Sequence, residues 1–274
     1  MKKLLSMLSF VAMTATAQTN VPFCEIGENQ TENWREYLQY AVPCTKDECC
    51  VCGMNISLTF EKSKPATYQW VSNVVADWCN LYIENLEGYV TDDKPIGKID
   101  VVAYKHGMTA EALEAAYGNG FKKLLTAAMK SRACEKAPYG PYAESIKIEP
   151  IWKDASRVTY SIKTAFDYSG SNGYTRGTRL VTLNNQGKEL RTLAQLGVNM
   201  PDFKQRVFRK LKALKAENGA TIDPKTTANK YFAEMHINPE NHVARVGNQL
   251  IVTFPAYTVG IGAEGEYVVK LPLK

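Results

Sequence analysis

Residues 250–274, LIVTFPAYTVGIGAEGEYVVKLPLK, decide between a nucleotide-binding fold and an antiparallel sheet. Gly260, Gly262 and Gly265 satisfy G-x-G-x-x-G, a turn that holds pyrophosphate when a strand precedes it and a helix follows. The residues after Gly265 are instead β-branched and aromatic and run to Pro272, which is strand sequence and not helix sequence. We therefore predict a flexible turn between two strands, and no cofactor.

The rest of the second half has the two-residue period of antiparallel strands. Turn residues at positions 184–187 predict one hairpin, and Gly247-Asn248 predicts another. By period and composition we predict strands at residues 56–60, 99–104, 146–151, 158–164, 180–183 and 190–193.

Apolar residues recur at helical spacing in three longer stretches. Helices are predicted at about residues 71–88, 109–128 and 201–215, with a short fourth helix beginning at residues 223–224. Pro65 is interpreted as a breaker before the first helix, and Thr109 as the N-cap of the second. Gly118 and Gly120 either weaken the second helix by about 1 kcal/mol each or mark a break. Lys215 is predicted to cover the solvent side of the third helix.

Strands and helices are segregated along the chain and do not alternate, which indicates an α+β fold. We predict an antiparallel β-sheet with helices packed on it, in two consecutive subdomains at residues 49–170 and 171–274. A cysteine-containing arm at residues 18–48 precedes them.

The first 17 residues have the pattern of a secretory signal peptide. Lys2 and Lys3 precede an apolar run at residues 4–13, which is too short to span a bilayer, and Ala17 ends a small-residue cleavage site. The chain is thus predicted to be exported to the periplasm or outside the cell, with no membrane span after cleavage. A lipoprotein is less favoured, because no small residue precedes Cys24.

Export would place the cysteines in an oxidising compartment, which favours disulfide bonds. Cys49-Cys50-Val51-Cys52 contains C-x-x-C, but strand sequence follows where a redox pair would need a helix, and zinc would need a second pair. Disulfides are favoured, with metal and redox roles left open, and an odd count leaves one cysteine free or paired outside the chain. The seven candidates are Cys24, Cys44, Cys49, Cys50, Cys52, Cys79 and Cys134.

Charge and motifs exclude several classes of function. The formal net charge of +5, or +3 after loss of Lys2 and Lys3, is too mild to indicate a nucleic-acid partner. There is no G-x-S-x-G elbow, and the three histidines lack zinc-binding spacing, so no metal site is predicted. For a hydrolase, Asp167 and His236 are the residues to test.

Several segments resemble a bacterial envelope family. They are residues 168–177, residues 183–193 with Gln186-Gly187-Lys188, and residues 250–265 with the terminal strand. The family is the extracytoplasmic domain pair found in the lysozyme-sensing anti-sigma factor RsiV and ahead of some peptidoglycan deacetylase domains. This chain has Gly173-Tyr174-Thr175-Arg176-Gly177 where many relatives carry a Gly-Gly-Ala-His-like stretch, so a role for that histidine does not transfer. The resemblance implies recognition at the cell envelope.

We therefore expect a non-catalytic, exported binding module whose partner is a protein or a glycan, with lysozyme or peptidoglycan fragments as the sharpest candidates. One alternative is a cell-wall polysaccharide hydrolase or deacetylase-associated protein. Another is a structural or interaction protein that joins a second chain through its unpaired cysteine. The candidate ligand-contacting residues are Tyr168, Tyr174, Arg176, Tyr257 and Tyr267.

Overall fold

The computed structural model describes residues 39–43, 51–61, 64–90, 95–131, 142–168, 174–261 and 264–273. The predicted signal peptide and nearly all of the predicted arm lie outside these residues, as do Cys24, Cys44, Cys49, Cys50 and Cys134. The strands are β1 Tyr40–Pro43, β2 Val51–Leu58, β3 Tyr142–Lys153, β4 Arg157–Tyr168, β5 Tyr174–Asn184, β6 Val243–Val246, β7 Gln249–Phe254 and β8 Tyr267–Pro272. The α-helices are α1 Pro65–Val90, α2 Ala110–Ser131, α3 Phe203–Glu217 and α4 Ala228–Glu234.

The first five strands form one sheet in the order β1-β2-β3-β4-β5. All neighbours are antiparallel except β2 and β3, which run parallel with Ile56 opposite Ile146. The α+β class is thus confirmed, and the parallel pair is an addition to it. It arises because α1 and α2 lie between β2 and β3 in the chain and return it to the same end of the sheet.

One face of this sheet is covered by α1 and α2. Ile146 and Ile148 of β3 and Tyr160 of β4 point into this layer, each at most 1% exposed. They pack in one core with the apolar stripe of α1, which includes Val75 and Tyr82. Burial follows the predicted two-residue period at residues 145–149 of β3, but residues 158–162 of β4 are all buried, because the other face of β4 is also covered, and Thr159 Oγ1 there donates to the carbonyl of Arg245.

Helix α1 begins at Pro65, so the interpretation of this residue as a breaker is wrong. Proline is accepted at the first helical position, where its missing N–H has no intrahelical partner to lose. At the other end the helix continues past Gly88 to Val90. Helix α2 follows the prediction at its start, since Thr109 Oγ1 accepts a hydrogen bond from Ala112 N at 3.2 Å.

Residues 99–104 do not form the predicted strand. Their backbone is held by side chains of the helices, so it does not join a sheet. Ile99 donates its N–H to Asn80 Oδ1 at 2.8 Å, and its carbonyl accepts from Asn80 Nδ2 at 3.1 Å. Val102 N donates to Tyr117 OH at 3.0 Å. An apolar alternating run is therefore used to cover two helices.

The turn predicted at residues 184–187 is present, but the strand predicted after it is not. Only a single bridge joins Leu183 to Glu189, and residues 192–197 then coil into turns. The Gln195 side chain explains this, because its Oε1 accepts hydrogen bonds from the N–H groups of Arg191 and Thr192 at 2.8 and 3.1 Å. Those N–H groups are thereby satisfied without a sheet partner.

A second sheet of three antiparallel strands, in the order β6-β7-β8, forms a core with α3 and α4. The predicted hairpin at Gly247 is present, with φ of +59° at this glycine. Helix α4 starts at Ala228 and not at residue 223, because the capping side chain is that of Thr227, which accepts from Lys230 N at 3.3 Å. Residues 223–226 form a turn instead.

The predicted boundary at residues 170–171 falls between β4 and β5, which pair over eleven residue positions in the first sheet. The division into two subdomains stays a prediction. Among the described helices, none combines the length and the apolar character that crossing a membrane requires.

Candidate functional site

The connection from β7 to β8 carries two of the most exposed large apolar side chains of the described structure. Tyr257 is 66% exposed and Ile261 is 67% exposed, whereas Val259 between them is 1% exposed. We call residues 255–261 the 255–261 loop. It turns Val259 inward and holds the two larger side chains in solvent.

Tyr257 occupies the left-handed region of backbone conformation, with φ of +67°. For a residue other than glycine this conformation costs roughly 1–2 kcal/mol, because Cβ crowds the following carbonyl. Such residues persist only where neighbouring contacts impose the conformation, and they concentrate at binding and catalytic sites. The exposed ring itself makes few contacts that could offset this cost.

The contacts that hold the loop converge on the carbonyl oxygen of Val259. Lys215 Nζ donates to it at 2.9 Å, and the hydroxyl of Tyr231 donates to it at 2.6 Å. Both donors come from helices, α3 and α4, so the loop is fixed to the helical layer of the second core. Burial raises the pKa of Tyr231 to about 12, so the hydroxyl keeps the proton that it donates.

Lys215 also forms a buried ion pair with Glu264, on the other side of the loop. Its side chain is only 6% exposed, and its ammonium group lies 5.0 Å from the centre of the Tyr267 ring. Glu264 further accepts hydrogen bonds from Tyr267 OH at 2.7 Å and from Ile261 N at 3.2 Å. The hydrogen bond from Lys215, followed by that from Tyr267, holds the pKa of Glu264 below its usual value despite some desolvation.

The predicted solvent position of Lys215 is therefore wrong. Lys215 lies four residues after Leu211 and so shares its buried stripe on α3, while Leu214 is only half-buried. A lysine is tolerated in this stripe because a carboxylate and a backbone carbonyl meet its charge.

The loop lies beside the first sheet at the end of β4 and β5. A methyl group placed on Gly177 of β5 would contact Pro255 Cβ at 3.5 Å. The next N–H along, that of Thr178, donates to Glu266 Oε2 at 2.6 Å. Burial raises the pKa of Glu266 above its usual value, although Thr178 opposes this.

The five predicted ligand-contacting residues have different outcomes. Tyr257 is exposed on the loop, and Tyr267 is 3% exposed within the Lys215–Glu264 cluster, where it supports the loop. Tyr168, Tyr174 and Arg176 lie on β4 and β5 at the end of the sheet near Pro255, and their side chains fall outside the described structure. Sequence analysis missed Ile261, Lys215 and Glu264, although helical spacing with Leu211 is a readable signal for Lys215.

The described residues do not show Asp167 and His236, the residues named for hydrolysis, side by side in a catalytic group. Asp167 is paired with Tyr174 between β4 and β5, and its side chain lies outside the described residues. His236 is exposed at the end of α4 with φ of +55°. His242 packs against Phe254 at 5.4 Å between ring centres, and burial lowers its pKa. Within the described ranges, no group of three His, Cys, Asp or Glu side chains is placed to hold a metal ion.

A cleft of about 460 Å³ lies at the start of α3 and mixes apolar with polar side chains. Glu240 is the one carboxylate among the described residues that line it. A two-carboxylate glycosidase site needs a second acid within about 10 Å of the first. Of the described residues that line the cleft, Glu240 alone could serve as such an acid.

Two of the seven cysteines fall in the described structure, and both are buried. Cys79 of α1 is 0% exposed, and burial together with the nearby Glu144 raises the pKa of its thiol far above the usual range. Burial therefore disfavours the thiolate, which is the nucleophilic form of cysteine. Glu144 itself is 7% exposed, and burial raises its pKa to about 8.

No model of a known protein family matches the chain, and no curated protein matches it. Two solved structures resemble it. One is a DUF3298 family protein from Pseudomonas aeruginosa PAO1, at 14% identity and a TM-score of 0.45, with 84% of each chain covered. The other is a DUF3298 family member from Bacteroides fragilis NCTC 9343, at 12% identity and a TM-score of 0.46, covering 85% of this chain and 86% of that chain. No function follows from similarity at this level.

Proposed function

We propose that this protein is an exported binding module of the cell envelope, without catalytic activity, that contacts its partner through the 255–261 loop. The observation that carries the proposal is Tyr257, a large aromatic side chain that is 66% exposed at φ of +67°. The strained backbone of Tyr257 opposes folding stability, and its exposed ring contributes little burial to offset this cost, so the combination favours a role in binding.

The support beneath Tyr257 is what a binding loop needs. Lys215 and Tyr231 fix the carbonyl of Val259, and Glu264 fixes the N–H of Ile261, so the loop is ordered before any partner arrives. A pre-organised loop loses little conformational entropy on binding. Tyrosine is enriched among the residues that dominate binding energy, because its ring buries a large area while its hydroxyl finds a polar partner.

The envelope setting rests on the sequence. The signal-peptide pattern at residues 1–17 supports export to the periplasm or the exterior, and the resemblance to the extracytoplasmic domain pair supports recognition at the envelope. A protein or glycan partner follows from that resemblance, and lysozyme and peptidoglycan fragments are the ligands to test first.

Calorimetric titration with lysozyme and with soluble muropeptides tests the proposal. Tyr257→Asn removes the ring and keeps a residue that tolerates a positive φ, so the loop conformation is retained. We expect this variant to bind at least about 30-fold more weakly, which corresponds to roughly 2 kcal/mol for a dominant tyrosine. Leu81→Ala is the matched control, because Leu81 is 58% exposed on α1 and lies outside the loop.

Three outcomes contradict the proposal in different ways. Absence of heat with both ligands removes the named partners. Equal affinity of Tyr257→Asn and the unchanged protein removes the loop as the contact surface. Release of acetate or reducing ends from peptidoglycan, lost in Asp167→Asn or His236→Gln, establishes a hydrolase instead of a binding module.

A further inference from the structure

A second cluster of polar side chains lies where the β3–β4 turn, the segment before α3 and the β6–β7 hairpin meet. The carbonyl oxygen of Leu196 accepts hydrogen bonds from two arginines, Arg157 Nη1 at 2.7 Å and Arg245 Nη1 at 3.0 Å. Trp152 adjoins Arg157, which lies 5.8 Å from the centre of its ring, and Trp152 and Arg245 both approach Gly247. None of these residues belongs to the 255–261 loop or its supports.

The two arginines differ in whether a carboxylate lies next to their guanidinium group. Arg157 donates to Asp154 Oδ2 from Nε at 3.1 Å and from Nη2 at 2.7 Å. Asp154 is fully committed to this turn, since its other oxygen accepts from the backbone N–H groups of Ser156 and Arg157, both at 2.8 Å. Burial opposes its ionisation, but these hydrogen bonds hold its pKa to about 2. Asp154 therefore balances the charge of Arg157 alone.

Arg245 has no carboxylate within 4 Å among the residues that the structure describes. Among the described residues, the partners of its guanidinium group are two carbonyl oxygens, that of Leu196 and that of Gly247, the latter from Nε at 3.3 Å. The residue is half-buried, so water does not fully solvate the charge. A partly desolvated guanidinium group without a neighbouring anion can attract a negatively charged ligand.

Two further features keep the space around this charge open. Gly197 has φ of +72°, and a methyl group placed on it would lie 3.6 Å from the Nη1 atoms of both arginines. On the other side, a methyl group on Gly247 would lie 3.8 Å from Trp152 Nε1. This indole N–H has no acceptor at hydrogen-bonding distance in the described ranges. The cluster thus places one unbalanced guanidinium group beside one unused N–H donor.

We propose that Arg245, Arg157 and Trp152 form a binding site for an oxyanion group, a carboxylate or a phosphate, carried by a small ligand. Guanidinium groups bind these groups through paired N–H donors, and such charge-assisted hydrogen bonds are stronger than neutral ones. The oxyanion receives hydrogen bonds from Arg245 and from the Trp152 indole N–H, while Arg157, whose charge Asp154 balances, helps to hold the Leu196 carbonyl to which Arg245 also donates. This site stands independently of the proposed role of Tyr257.

Titration followed by ¹H–¹⁵N NMR tests the site, with the indole N–H signal of Trp152 assigned through Trp152→Phe. The probes are inorganic phosphate, N-acetylmuramic acid, which carries a carboxylate, and N-acetylglucosamine as its neutral counterpart. We expect phosphate or N-acetylmuramic acid to shift the Trp152 indole signal saturably, and N-acetylglucosamine to leave it in place. A shift with N-acetylmuramic acid alone identifies a sugar acid, and a shift with phosphate alone identifies a phosphorylated ligand.

Arg245→Met removes the unbalanced charge, and we expect it to weaken the affinity by at least about tenfold, the loss that accompanies one charge-assisted contact. Arg209→Gln is the control, because Arg209 is exposed on α3 and its loss changes the net charge equally. If the methionine variant unfolds, Arg245→Lys takes its place, because it keeps the charge. The lysine variant is expected to bind the oxyanion more weakly than the unchanged protein does. Failure of every oxyanion to shift the Trp152 signal overturns the proposal, as does undiminished binding by folded Arg245→Met.

Discussion

Two glycines in α2, two residues apart, are expected to respond oppositely to the same substitution. A methyl group on Gly118 would lie 2.2 Å from Cδ1 and Cε1 of Tyr40 in β1, whereas a methyl group on Gly120 would have Ile99 as its nearest neighbour at 3.8 Å. The first distance is impossible without movement, and the second is an ordinary contact. Tyr40 is 8% exposed, so its ring has little free space to move into.

The magnitudes follow from these distances. Gly120→Ala gains the helix propensity of alanine, about 1 kcal/mol, and we expect the free energy of unfolding to rise by roughly that amount. Gly118→Ala gains the same propensity but forces a well-packed ring to move by more than about 1 Å, and such overpacking costs about 1–3 kcal/mol. We therefore expect Gly118→Ala to lower the free energy of unfolding by up to about 2 kcal/mol, and the two variants to differ by about 1–3 kcal/mol, the cost of the overpacking.

Urea denaturation followed by circular dichroism measures both values, provided that the slope with denaturant is unchanged between variants. The double variant Tyr40→Leu, Gly118→Ala isolates the clash, because a smaller side chain at position 40 leaves room for the methyl group. In the Tyr40→Leu background, Gly118→Ala is expected to become neutral or stabilising. A Gly118→Ala variant as stable as Gly120→Ala would refute the packing of β1 against α2.

Three further predictions concern the loop and the buried charges. Tyr257→Gly relieves the positive φ and is expected to raise the free energy of unfolding by about 1 kcal/mol while abolishing binding, which thermal unfolding and calorimetry measure together. Lys215→Met leaves Glu264 without its cation and is expected to lower the free energy of unfolding by about 3 kcal/mol. The double variant Lys215→Met, Glu264→Gln is expected to recover part of this loss. A loss below about 0.5 kcal/mol in the single variant would contradict burial of the ion pair. The folded-state pKa of Glu144 is raised to about 8 from 4.5, so the folded protein retains a proton that the unfolded chain releases. Stability is therefore full below about pH 4.5 and falls as the pH rises through about 8, by up to about 1.4 kcal/mol per unit, and Glu144→Gln is expected to flatten this dependence in unfolding measured from pH 4 to pH 9.

The sequence predicted what local periodicity and turn chemistry determine. Alternation in β3, the Thr109 cap and the Gly247 hairpin depend on residues within a few positions of one another. It failed where a distant group decides. Residues 99–104 alternate like a strand, but Asn80 and Tyr117 take their backbone hydrogen bonds, and no pattern within the segment reveals this.

The candidate site was predictable in the same uneven way. Tyr257 was named as a tyrosine in a segment that resembles the envelope family, but its exposure and positive φ depend on contacts such as that of Lys215, more than forty residues earlier in the chain. Tyr267 was found by the same reasoning, although its position in β8 turns it inward to Glu264. The resemblance therefore pointed to the segment, and only tertiary contacts distinguish the exposed ring of Tyr257 from the supporting ring of Tyr267.

The Lys215–Glu264 cluster and the Arg157–Arg245 cluster share one kind of contact but differ in the role that we assign to them. In each, a cation that is at least half-buried donates to the carbonyl of a segment without regular structure: Lys215 to Val259, and Arg157 and Arg245 to Leu196. Lys215 is balanced by Glu264, so its cluster is complete without a ligand and serves to hold the loop. Arg245 has no such carboxylate in the described part of the chain. Its charge is held in position without a counter-ion, so an anion that binds there forms a strong charge-assisted hydrogen bond. Balance of charge, more than the kind of contact, therefore distinguishes the structural cluster from the one that we expect to bind.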